Sequence, residues 1–118
     1  MVMQYNLDGL VFRSVSNTPN GEVGEATRFY YRQIGDVVTA TYQGNGIVEG
    51  HLIAKVLVTG QLDMRYHHLN AHGEFKLGTC LSTPERLEDG RLRFHEEWQW
   101  LTGDMSSGRS IIEEVKQP

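Results

Sequence analysis

Three side chains that can carry protons or donate hydrogen bonds, Glu96, His68 and Tyr66, stand where the pattern predicts the apolar face of a sheet. The segment RLRFHEEWQW, residues 91–100, alternates so that its even-numbered residues share one face. Glu96 is the polar member of that face. Because an isolated carboxylate is strongly disfavoured in an apolar interior, Glu96 is expected to be hydrogen-bonded, paired, protonated or reached by water.

An inward Glu96 suits more than one kind of chemistry. If the interior holds a cavity, aromatic walls with a few polar groups describe a small-molecule pocket. If the interior is filled, Glu96 is a structural group bonded to Tyr66 or His68. A Glu96/His68 acid–base pair would make an enzyme, but no nucleophile or substrate is apparent, which favours a protein without catalytic activity. The predicted ligand contacts are Glu96, His68, Tyr66, Trp98, Trp100, Tyr31 and Tyr42.

Metal and thiol chemistry are weakly represented. His67 and His68 point to opposite faces of one strand, and His72 lies in a turn, while no Cys-x-x-Cys pattern or carboxylate-rich loop is present. We therefore expect no metal and no cofactor. Cys80 alternates with the inward position Thr79 and is predicted to face outward, without a helix N-terminus to activate it.

The elements that position these residues are predicted to be strands, because period-2 runs recur between glycine-rich turns and almost no helical stripe is present. The pattern favours a single all-β domain over residues 1–118, an antiparallel up-and-down meander of about eight strands closed into a small barrel. A two-sheet sandwich is the second possibility. The predicted strands are Leu10–Val15, Thr27–Ile34, Val37–Gln43, Ile47–Leu57, Leu62–Leu69, Glu74–Ser82, Arg91–Trp100 and Arg109–Val115.

The turns also predict how neighbouring strands align, and the aligned apolar faces agree with one another. In the last strand, either Ile111 or Ile112 can point inward. The predicted facing pairs are Phe29/Tyr42, Tyr31/Ala40, Gln33/Val38, Tyr42/Val48, Ala40/Gly50, Val38/Leu52, His68/Phe75, Tyr66/Leu77, Met64/Thr79, Leu62/Leu81, Leu81/Leu92, Thr79/Phe94, Leu77/Glu96 and Phe75/Trp98.

Charge and composition limit the partners. The chain has 118 residues, a net charge of -4 and eleven scattered Lys and Arg residues, which argues against nucleic-acid or anionic-membrane binding. One cysteine and the lack of a basic-plus-apolar N-terminal segment favour a cytoplasmic location. The charged outer positions of residues 63–67 and 91–99 indicate a solvated face, with a homo-oligomer interface as the alternative.

Four stretches, SVSNTPNGEV (14–23), LDMRYHH (62–68), HEEWQW (95–100) and SIIEEV (110–115), resemble a family of short bacterial proteins of unknown function. The similarity spans nearly the whole chain. This family in turn resembles the avidin-like, calycin-type barrels, which implies a barrel that binds a small hydrophobic or amphipathic molecule inside.

Some similar sequences carry the label N-acetylglutamate synthase. This chain lacks the Arg/Gln-x-x-Gly-x-Gly/Ala turn and the helix start with which such acyltransferases bind acetyl-CoA. No biotin-binding residue can be matched position by position either. The resemblance therefore implies a fold and leaves the activity open.

Overall fold

Eight antiparallel strands close into one barrel in the computed structural model, which describes residues 4–116. Each strand pairs with its neighbours in sequence, and the last strand pairs with the first, so the predicted barrel is confirmed. No helix in the described part of the chain is long and apolar enough to cross a membrane. The strands are β1 Val11–Asn17, β2 Arg28–Ile34, β3 Val37–Gly44, β4 Ile47–Val56, β5 Leu62–Asn70, β6 Phe75–Arg86, β7 Leu92–Trp100 and β8 Ser107–Glu114.

Aromatic rings fill the barrel because small residues lie directly across from them. A Cβ atom at each of three inward glycines would overlap the ring of the residue opposite. Glycine at these positions thus lets a large ring lie flat over the neighbouring strand. The three facing pairs are Tyr42 with Gly50, Tyr66 with Gly78, and Trp98 with Gly108.

Strand β7 and the β2–β3 hairpin follow the sequence prediction. The turn at Gly35 pairs Phe29 with Tyr42 and Tyr31 with Ala40, as expected. The even-numbered residues of β7 all face inward, and every one except the half-buried Glu96 is buried. In β8, Ile112 is the inward isoleucine.

The predicted inner face of β6 is wrong. The backbone N–H of Asn70 donates to the oxygen of Glu74, so the turn between β5 and β6 contains three residues, 71–73, rather than the predicted four. His68 therefore pairs with Lys76 instead of Phe75. The Asn70 side chain closes the turn by accepting hydrogen bonds from the backbone N–H groups of His72 and Glu74. Gly73 completes it with a φ of 78°.

This one-residue difference turns β6 over. Cys80, predicted to face outward, is buried inside the barrel. Phe75 and Leu77, predicted to face inward, are 70% and 44% exposed. The inward residues of β6 are Lys76, Gly78, Cys80 and Ser82, and the outward ones include Thr79 and Leu81.

Two other alignments also differ from the prediction. Strand β6 continues through Pro84, which the sequence placed in a loop, so Glu96 lies opposite Ser82 rather than Leu77. Between β3 and β4, Gly44 pairs with Ile47 and an irregularity then adds one residue on β4, so the pairing differs from the prediction by two residues: Tyr42 faces Gly50, and Val48 is exposed. Because β6 continues through Pro84, Leu81/Leu92 and the other predicted β6–β7 pairs are wrong.

The two ends of the barrel are closed differently. At one end, the segment before β1 covers the interior: Leu7 is fully buried and Tyr5 packs edge-on against Phe94. We call the opposite end the mouth. It carries the loops that follow β1, β3, β5 and β7, and residues 18–27, the β1–β2 loop, cross it. Beyond Arg13, β1 pairs with β8 but not with β2, and the loop fills that side.

Candidate functional site

A cavity of about 50 Å³ lies inside the barrel on the mouth side. One buried water needs roughly 10–15 Å³ on this measure, so the cavity has room for about four water-sized groups. Gly21, Glu22 and Val23 of the β1–β2 loop form part of its wall. The barrel contributes Phe29, Tyr42, Leu52, Met64, Tyr66, His68, Cys80, Trp98 and Trp100, together with the polar residues Asn17, Glu96 and Ser110.

Glu96 is held between two serines. Its direct neighbours across the sheet are Ser82 on β6 and Ser110 on β8, both buried. Ser110 Oγ donates a hydrogen bond of 2.9 Å to Oε1, and Ser82 Oγ donates one of 3.3 Å to Oε2. Burial raises the pKa of the Glu96 carboxyl to about 7, although the two hydrogen bonds act in the opposite direction.

His68 belongs to a separate polar chain nearer the mouth. Its Nε2 lies 2.8 Å from Glu22 Oε1, and its Nδ1 lies 2.9 Å from the Tyr42 hydroxyl. Burial lowers the pKa of His68 below its usual value, although the hydrogen bond and charge of Glu22 oppose this. His68 is therefore neutral at pH 7, with Nε2–H donating to Glu22 and Nδ1 accepting from Tyr42.

Glu22 fastens the β1–β2 loop across the mouth. Besides His68, its carboxylate accepts from Asn70 Nδ2 at 3.3 Å and lies 3.7 Å from Lys76 Nζ, while Asn45 Nδ2 donates to its backbone oxygen. Burial raises the pKa of the Glu22 carboxyl, but the hydrogen bonds from His68 and Asn70 and the positive charges of Lys76, and of His68 when it is protonated, outweigh this effect. The resulting pKa lies below the usual value, so Glu22 is ionised at neutral pH.

The structure brings together six of the seven predicted ligand contacts. Glu96, His68, Tyr66, Tyr42, Trp98 and Trp100 all line the cavity. Tyr31 also points inward, but it lies toward the other end, where its ring packs 4.9 Å from that of Phe12. Its hydroxyl is buried and has no hydrogen-bond partner among residues 4–116.

Sequence reasoning missed the residues that satisfy the polar groups. Ser82, a hydrogen-bond donor to Glu96, was missed because the prediction assigned the wrong face of β6 to the interior. Glu22 lies in a loop with no periodic pattern, so nothing in the sequence indicates that it reaches His68. The Asn70 side chain has a recognisable signal, because Asn commonly closes turns through its own amide oxygen.

The cavity does not assemble a catalytic pair or a metal centre from the residues described. His68 and Glu96 both line it, but each is hydrogen-bonded to other partners. Within residues 4–116, no group of three or more His, Cys, Asp or Glu side chains is arranged to hold a metal ion.

This structure is a closed eight-stranded up-and-down barrel with polar groups in an aromatic interior. Barrels of this class are wide enough to enclose one small molecule. A family model described as "Avidin-like protein" matches residues 5–115. The chain therefore belongs to the avidin-like protein family. A search of curated proteins found no match.

Glu96→Gln is expected to stabilise the protein in a pH-dependent way. Because the pKa of Glu96 rises to about 7 on folding, the folded state loses stability as the pH increases from about 4.3 to 7. The neutral amide avoids this loss. At about 1.4 kcal/mol per pKa unit, this rise in pKa corresponds to about 3–4 kcal/mol, and we expect the free energy of unfolding of the variant relative to the wild type to increase by about that amount between pH 4 and pH 8.

The free energy of unfolding, measured by urea denaturation at pH 4, 6 and 8, tests this expectation. Glu97→Gln is the matched control, because Glu97 neighbours Glu96 but is exposed on the outer face. A difference between wild type and Glu96→Gln that stays constant from pH 4 to 8 would contradict the assignment.

Glu22→Ala is expected to loosen the cover of the mouth. The substitution removes the acceptor of the buried His68 Nε2–H, which corresponds to a destabilisation of about 1–3 kcal/mol. Both tryptophans of the chain line the cavity, so acrylamide should quench their fluorescence more strongly in the variant. Glu25→Ala, in the exposed part of the same loop, serves as control, and equal quenching in the two variants would refute the role of Glu22.

Proposed function

We propose that this protein binds a small amphipathic or hydrophobic molecule inside the barrel, between Glu96 and the mouth. The observation that carries the proposal is the convergence of aromatic walls and a few polar groups on one internal cavity. Membership in the avidin-like family is consistent with this use of the fold. In this role, Glu96, His68 and Tyr66 orient the ligand, and Trp98 and Trp100 pack against it.

The size of the cavity links binding to movement of the β1–β2 loop. Pockets for drug-sized ligands have volumes of roughly 300–1,000 Å³, whereas this cavity has about 50 Å³. A ligand of more than a few heavy atoms therefore needs the space that Gly21, Glu22 and Val23 occupy. These residues are displaced with the loop.

The bonds that hold the loop are suited to such a displacement. Trp100 Nε1 donates to the backbone oxygen of Asn20, Asn17 Nδ2 donates to that of Val23, and Asn20 Nδ2 donates to Ser107. When the loop moves away, water can take the place of each of these three partners. Opening therefore replaces these hydrogen bonds with hydrogen bonds to water and leaves none of the three donors unpaired.

Screening a metabolite collection for changes in tryptophan fluorescence and melting temperature tests the proposal. At least one compound should raise the melting temperature of the wild type and change its fluorescence. Cys80→Leu enlarges a side chain in the cavity wall and should abolish both effects. Thr79→Leu, the neighbouring outward position, should retain them. The proposal fails if no compound binds, or if the compounds found bind Cys80→Leu as well as the wild type.

A second candidate function is a homo-oligomeric interaction protein, which we propose from the outer face of β2 to β6. Tyr30, Ile53, Leu77 and Leu101 line one groove there, and each is 44–63% exposed. Apolar side chains grouped on one surface are typical of interaction sites.

Sedimentation velocity tests this second function. The wild type should sediment as a dimer or larger species, Ile53→Lys should sediment as a monomer, and Val58→Lys, in the exposed β4–β5 loop, should behave like the wild type. A monomeric wild type would exclude it.

A further inference from the structure

We propose that the ligand of the interior site carries an alkylammonium group, whose N–H groups donate to Glu96 while its alkyl part lies against the aromatic walls. This inference rests on the proposed function and specifies its ligand class. It follows from the negative charge of Glu96, from hydrogen-bond acceptors in the cavity wall that lack a donor, and from the aromatic rings that line the cavity.

Glu96 has no cationic partner in the described part of the chain. The contacts of its carboxylate are the neutral hydroxyls of Ser82 and Ser110, and none of the ion pairs within residues 4–116 includes it. The ionisable side chains that sense its charge are Tyr31, Tyr42, Tyr66 and Cys80. Burial raises the pKa of all four, so they are neutral near pH 7 and supply no positive charge. A cation is thus the complement that the site lacks.

The cavity wall also has unfilled hydrogen-bond acceptors. A carboxylate has about four acceptor positions, and the two serines occupy two of those on Glu96. Asn17 lines the same cavity, and its buried Oδ1 has no hydrogen-bond partner in the part of the chain that the structure describes, while its Nδ2 donates to the backbone oxygen of Val23. A group with several N–H donors suits these acceptors better than a carboxylate or an ether does.

The rings around the cavity favour the same group. Trp98 and Trp100, with ring centroids 5.5 Å apart, form part of the wall together with Tyr66 and Phe29. The faces of aromatic rings carry negative electrostatic potential, which attracts ammonium groups and gives apolar contact to their alkyl substituents.

The basic residues near the mouth do not oppose a cation. Lys76 Nζ lies 5.8 Å from the centroid of the Trp100 ring, and its charge is offset by Glu22, 3.7 Å away. His68 is neutral at pH 7 because burial lowers its pKa. The electrostatic preference of the interior is therefore set by Glu96.

Three probes with four non-hydrogen atoms each and different charge test the inference: isopropylammonium chloride, 2-propanol and sodium acetate. The cation has four non-hydrogen atoms, which matches a cavity with room for about four water-sized groups. Each probe is titrated at pH 8 and constant ionic strength, and the indole N–H signals of the two tryptophans are followed by NMR. At this pH an alkylammonium stays protonated, since the comparable lysine ammonium has a pKa of about 10.4.

We expect isopropylammonium to bind about tenfold more tightly than 2-propanol, because only the cation pairs with the carboxylate, and acetate to bind less tightly still. Glu96→Gln should abolish the difference between the cation and the alcohol, and Glu97→Gln should preserve it. In a pH titration of the wild type, the carboxyl ¹³C signal of Glu96 should show a lower midpoint with the cation present.

Several results would overturn the inference. Binding of 2-propanol or acetate as tight as that of the cation would do so, as would a cation preference that survives Glu96→Gln. If isopropylammonium does not bind but the metabolite screen yields an uncharged or anionic ligand that Cys80→Leu excludes, the ammonium inference is wrong and the proposed function stands. If no compound of any charge binds inside, both are wrong.

Discussion

The inside of a closed eight-stranded sheet offers a nearly fixed volume, and the inward side chains must share it. This chain assigns much of that volume to aromatic rings and compensates with glycine on the adjacent strand, as in Tyr66 beside Gly78 and Tyr42 beside Gly50. The arrangement decides which face of β6 can be internal. Gly78 and Cys80 fit beneath the rings, whereas Phe75 and Leu77 would require space that Tyr66 and Trp100 already occupy.

Volume also determines how the interior polar groups are satisfied. Glu96 is flanked by Ser82 and Ser110, which are small enough to leave open space beside the carboxylate while each donates one hydrogen bond. His68 is satisfied differently, because Tyr42 and the loop residue Glu22 engage its two ring nitrogens. The hydrogen-bond donors to Glu96 therefore come from the sheet alone, whereas the partners of His68 include a residue of the loop that crosses the mouth.

The barrel, the β2–β3 alignment and the inward face of β7 could be predicted because alternation and turn type constrain them locally. The face of β6 could not, because FKLGTCLS places its larger apolar residues on the outward side, and hydrophobicity alone favours the opposite orientation. To predict the correct inward face of β6, one would have to add up the volume of the aromatic side chains that the other strands place inside the barrel.

The candidate site was predicted to a similar extent. Six of the seven chosen residues share the cavity, because they lie on strands whose inward face alternation identifies. The partners of those residues were not found. Glu22 is separated by 46 positions from His68, and a contact made by an irregular loop has no periodic signature in the sequence.

The short ladder between β1 and β2 has a consequence for how stability is distributed over the molecule. Val11, Phe12 and Arg13 are the β1 residues paired across it, whereas the β2–β3 ladder runs the full length of β2. Segments with few ladder bonds unfold locally at lower free energy than the rest of a domain. Amide protons next to this ladder should therefore exchange with solvent faster than those in β3 to β7. The β1–β2 seam is then the place where the barrel opens at the lowest free energy.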